Sequence, residues 1–185
     1  MLKQIKLFII FILTVMFSTP STSNYEKLAY DYNFKDLDGT ALYLSEYKEK
    51  VIVVVNVASQ CGFTKQYDDM QKIWDLYQSK GLVIIGVPSN DFGNQEPVSI
   101  EEIKNFCEAK FGFTFPMREK VSVKGPNAHP FYVWAKNNYG KAAIPKWNFH
   151  KIIIDKKGKI HKTFSSLTNP SSKKFQKTLT DLMKN

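Results

Sequence analysis

Val51-Ile-Val-Val-Val-Asn-Val57 runs directly into Ala58-Ser-Gln-Cys61-Gly-Phe-Thr64, and this junction decides the fold. Every residue of the first stretch except Asn56 is β-branched. So continuous a run reads as a buried strand, apolar on both faces. Residues 58–63 form a turn, and a helix is predicted over 64–79. There Tyr67, Met70, Ile73, Trp74 and Tyr77 recur at intervals of three and four, giving one packed stripe. Gly81 suits the helix end, and Leu82-Val-Ile-Ile-Gly-Val87 is a second buried strand.

Outward from this unit, Asp38-Gly39 marks a small hairpin within residues 24–50. Ser99 and Glu102 have capping-box spacing, opening a helix over 99–110 that contains Cys107. A short helix follows over 129–138. Lys151-Ile-Ile-Ile-Asp155 and residues 159–164 flank Lys156-Lys-Gly158 as a hairpin, and an amphipathic helix over 171–184 closes the chain. Strand–helix–strand, then a helix, a hairpin and a final helix is the thioredoxin-type order. The expected fold is α/β and thioredoxin-like, a central mixed β-sheet flanked by helices.

The 185 residues suffice for one domain with a sizeable core. The first stretch is set apart. Lys3 and Lys6 precede the apolar run from Leu7 to Phe17, and Ser-Thr-Pro-Ser-Thr-Ser follows, the pattern of a secretory signal peptide cut near Ser23. The run is shorter than the ~20 residues of a membrane span. The expectation is a leader over 1–23 and one domain over 24–185, exported to a periplasm or secretory lumen. Cleavage lowers Lys+Arg from 26 to 24 against 17 Asp+Glu, a net charge of +7. The lysines are scattered as solvated turns and helix faces, with no aromatic-interleaved groove, which argues against nucleic-acid binding.

Two cysteines remain, Cys61 and Cys107. In an exported chain an even count usually means a structural disulfide. Cys61, however, sits where a strand ends and a helix begins, where free N–H groups and the helix dipole favour a thiolate. Cys61-Gly-Phe-Thr64 lacks the second cysteine of Cys-x-x-Cys. Nor does Cys61 have a metal-ligand partner at suitable spacing, and His129, His150 and His161 are scattered. No metal and no cofactor are expected.

Three motifs in order carry a resemblance. Asn56-Val-Ala-Ser-Gln-Cys61-Gly-Phe-Thr, Phe92-Gly-Asn-Gln95-Glu-Pro97 and Lys146-Trp147-Asn148-Phe149 resemble the three signatures of the glutathione peroxidase family. The resemblance runs from about Tyr32 to the C-terminus. It implies that Cys61 is the peroxide-attacking residue and that Gln95, Trp147 and Asn148 complete a catalytic tetrad. Amide and indole N–H groups can donate to a thiolate and to the oxygen that leaves.

Cys107, 46 residues after Cys61, matches the resolving cysteine of the thioredoxin-dependent, two-cysteine, phospholipid-hydroperoxide-like branch. This implies a sulfenic acid on Cys61, a Cys61–Cys107 disulfide and re-reduction by a thioredoxin-like or other external dithiol. The segment Asn137-Asn-Tyr-Gly-Lys-Ala-Ala-Ile-Pro145 is shorter than in the tetrameric, glutathione-using branch. That implies a monomer with an open site for hydrogen peroxide and for organic or lipid hydroperoxides, with room for transient contact with a membrane surface. Arg118 is the only arginine, which argues against glutathione as the main reductant. A thiol-based sensor or relay passing its disulfide to a partner uses the same chemistry, and a non-catalytic domain held by a structural bridge is the third reading.

Overall fold

A computed structural model describes residues 25–96, 99, 101, 102 and 112–184. The leader reading of residues 1–23, and Cys107 with most of its expected helix, lie outside the described residues. Among the described residues the strands and α-helices run in the order β1 (Asn33–Lys35), β2 (Ala41–Tyr43), β3 (Val51–Val57), α1 (Gln66–Tyr77), β4 (Leu82–Pro88), α2 (Pro130–Tyr139), β5 (Lys151–Ile154), β6 (Ile160–Phe164) and α3 (Lys173–Lys184). β1 and β2 form the small hairpin, with Gly39 at φ +89° in its turn.

The main sheet has the order β4-β3-β5-β6. β3 pairs parallel to β4 with Val51 opposite Leu82, and antiparallel to β5 with Ile52 opposite Ile154. β5 and β6 complete the sheet as an antiparallel pair. The mixed, thioredoxin-type sheet expected from the element order is therefore the one observed. The β3 run is continuous because both faces are covered. Val51, Val53, Val55 and Val57 pack with Tyr67, Met70 and Ile73 of α1 and Phe175 and Leu179 of α3. Ile52 and Val54 pack on the other side with Phe131, Tyr132, Trp134 and Ala135 of α2. Each fully buried Val or Ile of this kind contributes about 1.5–3 kcal/mol.

Boundaries shift by one or two residues, with local causes. α1 begins at Gln66 rather than at residue 64. Ahead of it the chain winds through overlapping i→i+3 turns, with N–H groups of Thr64, Gln66 and Tyr67 donating to the carbonyls of Cys61, Phe63 and Thr64. Its other end tightens into a 3₁₀ turn closed by Gly81 at φ +93°. α2 begins after His129, whose ring nitrogen caps Phe131 N–H, with Pro130 at the first helical position. α3 begins after Ser172, whose hydroxyl accepts from Phe175 N–H. The Ser99–Glu102 capping box is present in both directions, Ser99 N–H to the Glu102 carboxylate at 3.1 Å and Glu102 N–H to Ser99 Oγ at 3.0 Å.

Lys151 is a buried charge that the sequence pattern does not announce. It opens β5 fully enclosed, its ammonium donating to Gln66 Oε1 and to the Thr168 carbonyl at 2.8 Å. Burial pushes its pKa down to about 7. The folded chain thus gives up this proton more readily than the unfolded one, so stability rises with pH between about 7 and the ordinary lysine range. We expect urea unfolding to show a gain from pH 7 to 9 on the order of 2 kcal/mol from this group, at ~1.4 kcal/mol per pH unit. Lys151→Met is expected to flatten that rise; an equally steep rise in the variant would assign it elsewhere.

Among the described residues, no helix is long and apolar enough to cross a membrane. No group of three or more His, Cys, Asp or Glu side chains there could hold a metal ion. His150 is buried next to Lys151, and burial together with that lysine lowers its pKa to about 4, so it is neutral at physiological pH. The lone Arg118 is turned inward, its guanidinium on the Met117 carbonyl at 3.3 Å and on Asp36 at 3.3 Å.

Candidate active site

Cys61 lies four residues beyond the end of β3, buried among Val57, Tyr67 and Phe149 in the cluster under α1 and α3. It is a free thiol. Because α1 starts five residues later, the nearest backbone donors belong to the turn itself rather than to the helix end. The N–H groups of Cys61, Gly62 and Phe63 find no acceptor among the described residues, since the turn's i→i+3 bonds begin only at Thr64 N–H. Successive backbone donors without acceptors in a turn are able to hold negative charge.

Gln95 reaches this turn through the backbone. Gln60 N–H, one residue before Cys61, donates to the Gln95 carbonyl at 2.9 Å. Ser59 N–H donates to the carboxylate of the next residue, Glu96, at 3.0 Å. The loop carrying both residues is shaped by a left-handed pair, Gly93 at φ +69° and Asn94 at φ +51°. Asn90 ties it shut, its amide nitrogen donating to Asn94 Oδ1 and its oxygen accepting from Glu96 N–H, both at 3.1 Å.

Trp147 and Asn148 arrive from the other side of the molecule on the turn before β5. Asn56, the one polar residue of the β3 run, donates from Nδ2 to the Trp147 carbonyl at 3.1 Å, and its backbone carbonyl accepts from Phe149 N–H at 2.6 Å. Phe149 sits at φ +65°, a conformation a bulky side chain adopts only when surrounding contacts enforce it. Here the Asn56 bond and edge-on packing against Tyr67, with ring centroids 5.1 Å apart, enforce it. The reversal delivers Asn148, fully buried, to Gln95, where its amide nitrogen donates to Gln95 Oε1 at 3.0 Å. That bond uses the oxygen of the Gln95 amide and leaves its nitrogen available as a donor. Trp147 stays 40% exposed, its ring 5.8 Å from Phe92 at a tilt.

Cys61, Gln95, Trp147 and Asn148, spread over 87 positions, therefore share one end of the sheet. Cys107 falls outside the described residues. Sequence reasoning assigned no role to Asn56, Ser59, Gln60 or Glu96, although the motifs contain them. The signal was present for Asn56, a lone carboxamide in a strand buried on both faces. For Glu96 no local signal exists, because its burial depends on the β3 turn closing over it. Beside the Trp147 loop an open cleft of about 310 Å³ is lined by Lys141, Ala142, Ile144, Lys146 and His150. The assembled groups suit a reaction in which a thiolate attacks and charge develops on a departing oxygen.

The chain is similar to several known proteins. The glutathione peroxidase family profile matches residues 29–136. A Synechocystis sp. protein named hydroperoxy fatty acid reductase is 41% identical over 157 residues, covering 80% of this chain and 93% of the relative. The glutathione peroxidase-like peroxiredoxin 2 of Saccharomyces cerevisiae is 45% identical over 148 residues, 77% of this chain and 90% of the relative. The crystal structure of Trgpx in its apo form superposes with a TM-score of 0.69 at 32% identity, covering 86% of this chain and 97% of that one.

Proposed function

The chain belongs to the glutathione peroxidase family, and from that premise we propose that it is a cysteine-type thiol peroxidase reducing hydrogen peroxide and organic hydroperoxides through Cys61. The observation that carries the reading is the closure of the Cys61 turn onto Gln95, with Asn148 orienting the Gln95 amide. The Cys61 thiolate attacks one peroxide oxygen and the O–O bond breaks. The other oxygen leaves as hydroxide or alkoxide and takes up a proton, while Cys61 becomes a sulfenic acid. Gln95 and Trp147 supply N–H donors to the thiolate and to the departing oxygen, and Asn148 acts by holding Gln95.

Cys107 is the resolving residue. Its sulfur displaces water from the sulfenic acid to give a Cys61–Cys107 disulfide, and an external dithiol reduces that bond while becoming a disulfide itself. A thioredoxin-like donor fits the peroxiredoxin naming of the Saccharomyces relative. Arg118, the only arginine, is committed to Asp36 and the protein interior, which disfavours a glutathione site. Organic and lipid hydroperoxides fit the exposed Trp147, the adjoining cleft and the naming of the Synechocystis relative. The short turn after α2, a 3₁₀ segment over Gly140–Ala143, leaves that side open and supports a monomer able to touch a membrane surface transiently. The basic and apolar start of the chain supports export, with residues 1–23 removed.

The deciding experiment supplies residues 24–185 with hydrogen peroxide or a lipid hydroperoxide and either a thioredoxin-type dithiol or glutathione. Sustained turnover is expected with the dithiol, and much slower turnover with glutathione. Equal rates with both would overturn the donor assignment. A stable mixed disulfide with one protein partner, in place of turnover, would favour the relay.

The amide shell carries its own expectation. Losing one donor in a buried oxyanion site costs about 10²–10³-fold in rate, and at this half-exposed site Gln95→Ala and Trp147→Ala should each slow Cys61 oxidation about tenfold. Asn148→Ala should slow it through Gln95, so the double variant with Gln95→Ala should be little slower than either alone. Stopped-flow oxidation of the reduced variants measures this. Wild-type rates for Gln95→Ala and Trp147→Ala would remove both from the reaction.

A further inference from the structure

Glu96 has no assigned part in the reaction, yet among the described residues it is the most enclosed carboxyl. It is 4% exposed. Its Oε2 accepts Ser59 N–H at 3.0 Å, two residues before Cys61, while its own N–H is held by Asn90 at 3.1 Å. Next to these bonds, Gln60 N–H meets the Gln95 carbonyl at 2.9 Å. Residues 59–60 and 95–96 are thus stitched by two parallel contacts. One is a backbone bond that any sequence could make, and the other depends on this carboxyl.

We propose that Glu96 is a positioning residue for peroxide reduction: its buried carboxylate locks the Cys61 turn to the Gln95 loop and so aligns the Gln95 amide, and protonation of the carboxylate loosens that lock. The inference rests on the peroxidase reading above. An ionised acceptor makes a shorter and stronger bond to an N–H than a neutral one. Removing a buried carboxyl from solvent is costly, and such a group is kept near a reaction centre when its charge state matters. Burial raises the Glu96 pKa to about 7, partly opposed by the Ser59 hydroxyl and N–H and by the charge of Lys120. Among the described residues, the groups that bear on it are Ser59 from the turn after β3, Asn90 from its own loop and Lys120 from the segment beside β4. Its charge therefore changes within the range over which such an enzyme works.

The sign follows directly. Below about pH 7 the carboxyl is protonated, the Ser59 bond is a neutral one and Gln95 is held less firmly. Above it the carboxylate forms and the lock tightens. Any thiol is more reactive as its thiolate, so two rates are needed. Alkylation of Cys61 by iodoacetamide, quantified by peptide mass, reads thiolate formation. Single-turnover oxidation by hydrogen peroxide reads thiolate formation together with alignment. In the wild type the ratio of oxidation to alkylation rate is expected to rise about fivefold from pH 6 to 8, with a midpoint near 7. Glu96→Gln keeps an acceptor for Ser59 N–H but cannot ionise. Its ratio should stay flat at the wild-type acidic value, while Glu96→Asp should keep a step.

A wild-type step that survives unchanged in Glu96→Gln would overturn the inference. So would a wild-type ratio that is flat over this range, a result that needs no variant to fold. Absence of any Cys61 oxidation in the wild type would overturn the peroxidase reading and this inference with it. Normal oxidation with a flat ratio would overturn the inference alone.

Discussion

Cys61→Ser is expected to bring peroxide consumption down to the uncatalysed background, a loss on the order of 10⁴-fold or more, the scale seen when a covalent nucleophile is removed. A thiol ionises near neutrality and its anion attacks an O–O bond, whereas a serine hydroxyl stays protonated and nucleophilically weak. The fold should tolerate the change. Cys61 occupies a small buried site against Val57, Tyr67 and Phe149, and serine is slightly smaller. Its added cost is one hydroxyl in apolar surroundings, about 1–3 kcal/mol. Peroxide consumption with a dithiol donor measures the first effect and a thermal melt the second. Activity that persisted in a folded Cys61→Ser protein would sink the assignment.

Cys107→Ser has the next largest expected effect and separates the two-cysteine cycle from a structural bridge. Attack on peroxide needs only Cys61, so the variant should consume one equivalent at the wild-type rate. It should then stall as a sulfenic acid, and excess peroxide should carry Cys61 on to the sulfinic acid. Sustained turnover with the dithiol should fall on the order of a hundredfold, because nothing presents a disulfide to the donor. In the wild type, one equivalent of peroxide should yield the intramolecular Cys61–Cys107 disulfide. Forming it requires the two Cα atoms within ~7 Å. From the sequence reading that Cys107 lies on a helix of its own, we expect oxidation to speed amide exchange over residues 99–111 relative to the sheet. A disulfide already present in freshly isolated protein, resistant to the donor and contributing only to melting temperature, would identify a structural bridge.

The local pattern carried most of the fold. The β3 run could be read as a strand buried twice over because β-branched residues recur without polar interruption, and helices then had to cover both faces. The α1 stripe, the Gly81 stop and the Ser99–Glu102 box are likewise short-range signals, and each appears in the structure within a residue or two. Where boundaries moved, as at the start of α1, the i→i+3 turns that displaced them follow from the path of the chain around Cys61. The proposed reacting residue, Cys61, could be picked out on the same basis, because its place between strand and helix and the surrounding motifs are contiguous in sequence.

The working arrangement was not legible in the same way. Gln95 and Asn148 meet across 53 positions because β3 pairs parallel with β4 and antiparallel with β5, so the loops leaving β3 and β4 and the turn entering β5 converge at one end. The left-handed Phe149 that turns Asn148 inward is held by Asn56 and Tyr67, neither of them a sequence neighbour. The burial of Lys151 and Glu96 has the same origin. By composition both belong on the surface, and only the packing of distant segments removes water from around them. Hydrophobic periodicity is a property of neighbours along the chain, and so it can be read. Desolvation of a charge is a property of neighbours in space, and it exists only once the sheet has closed.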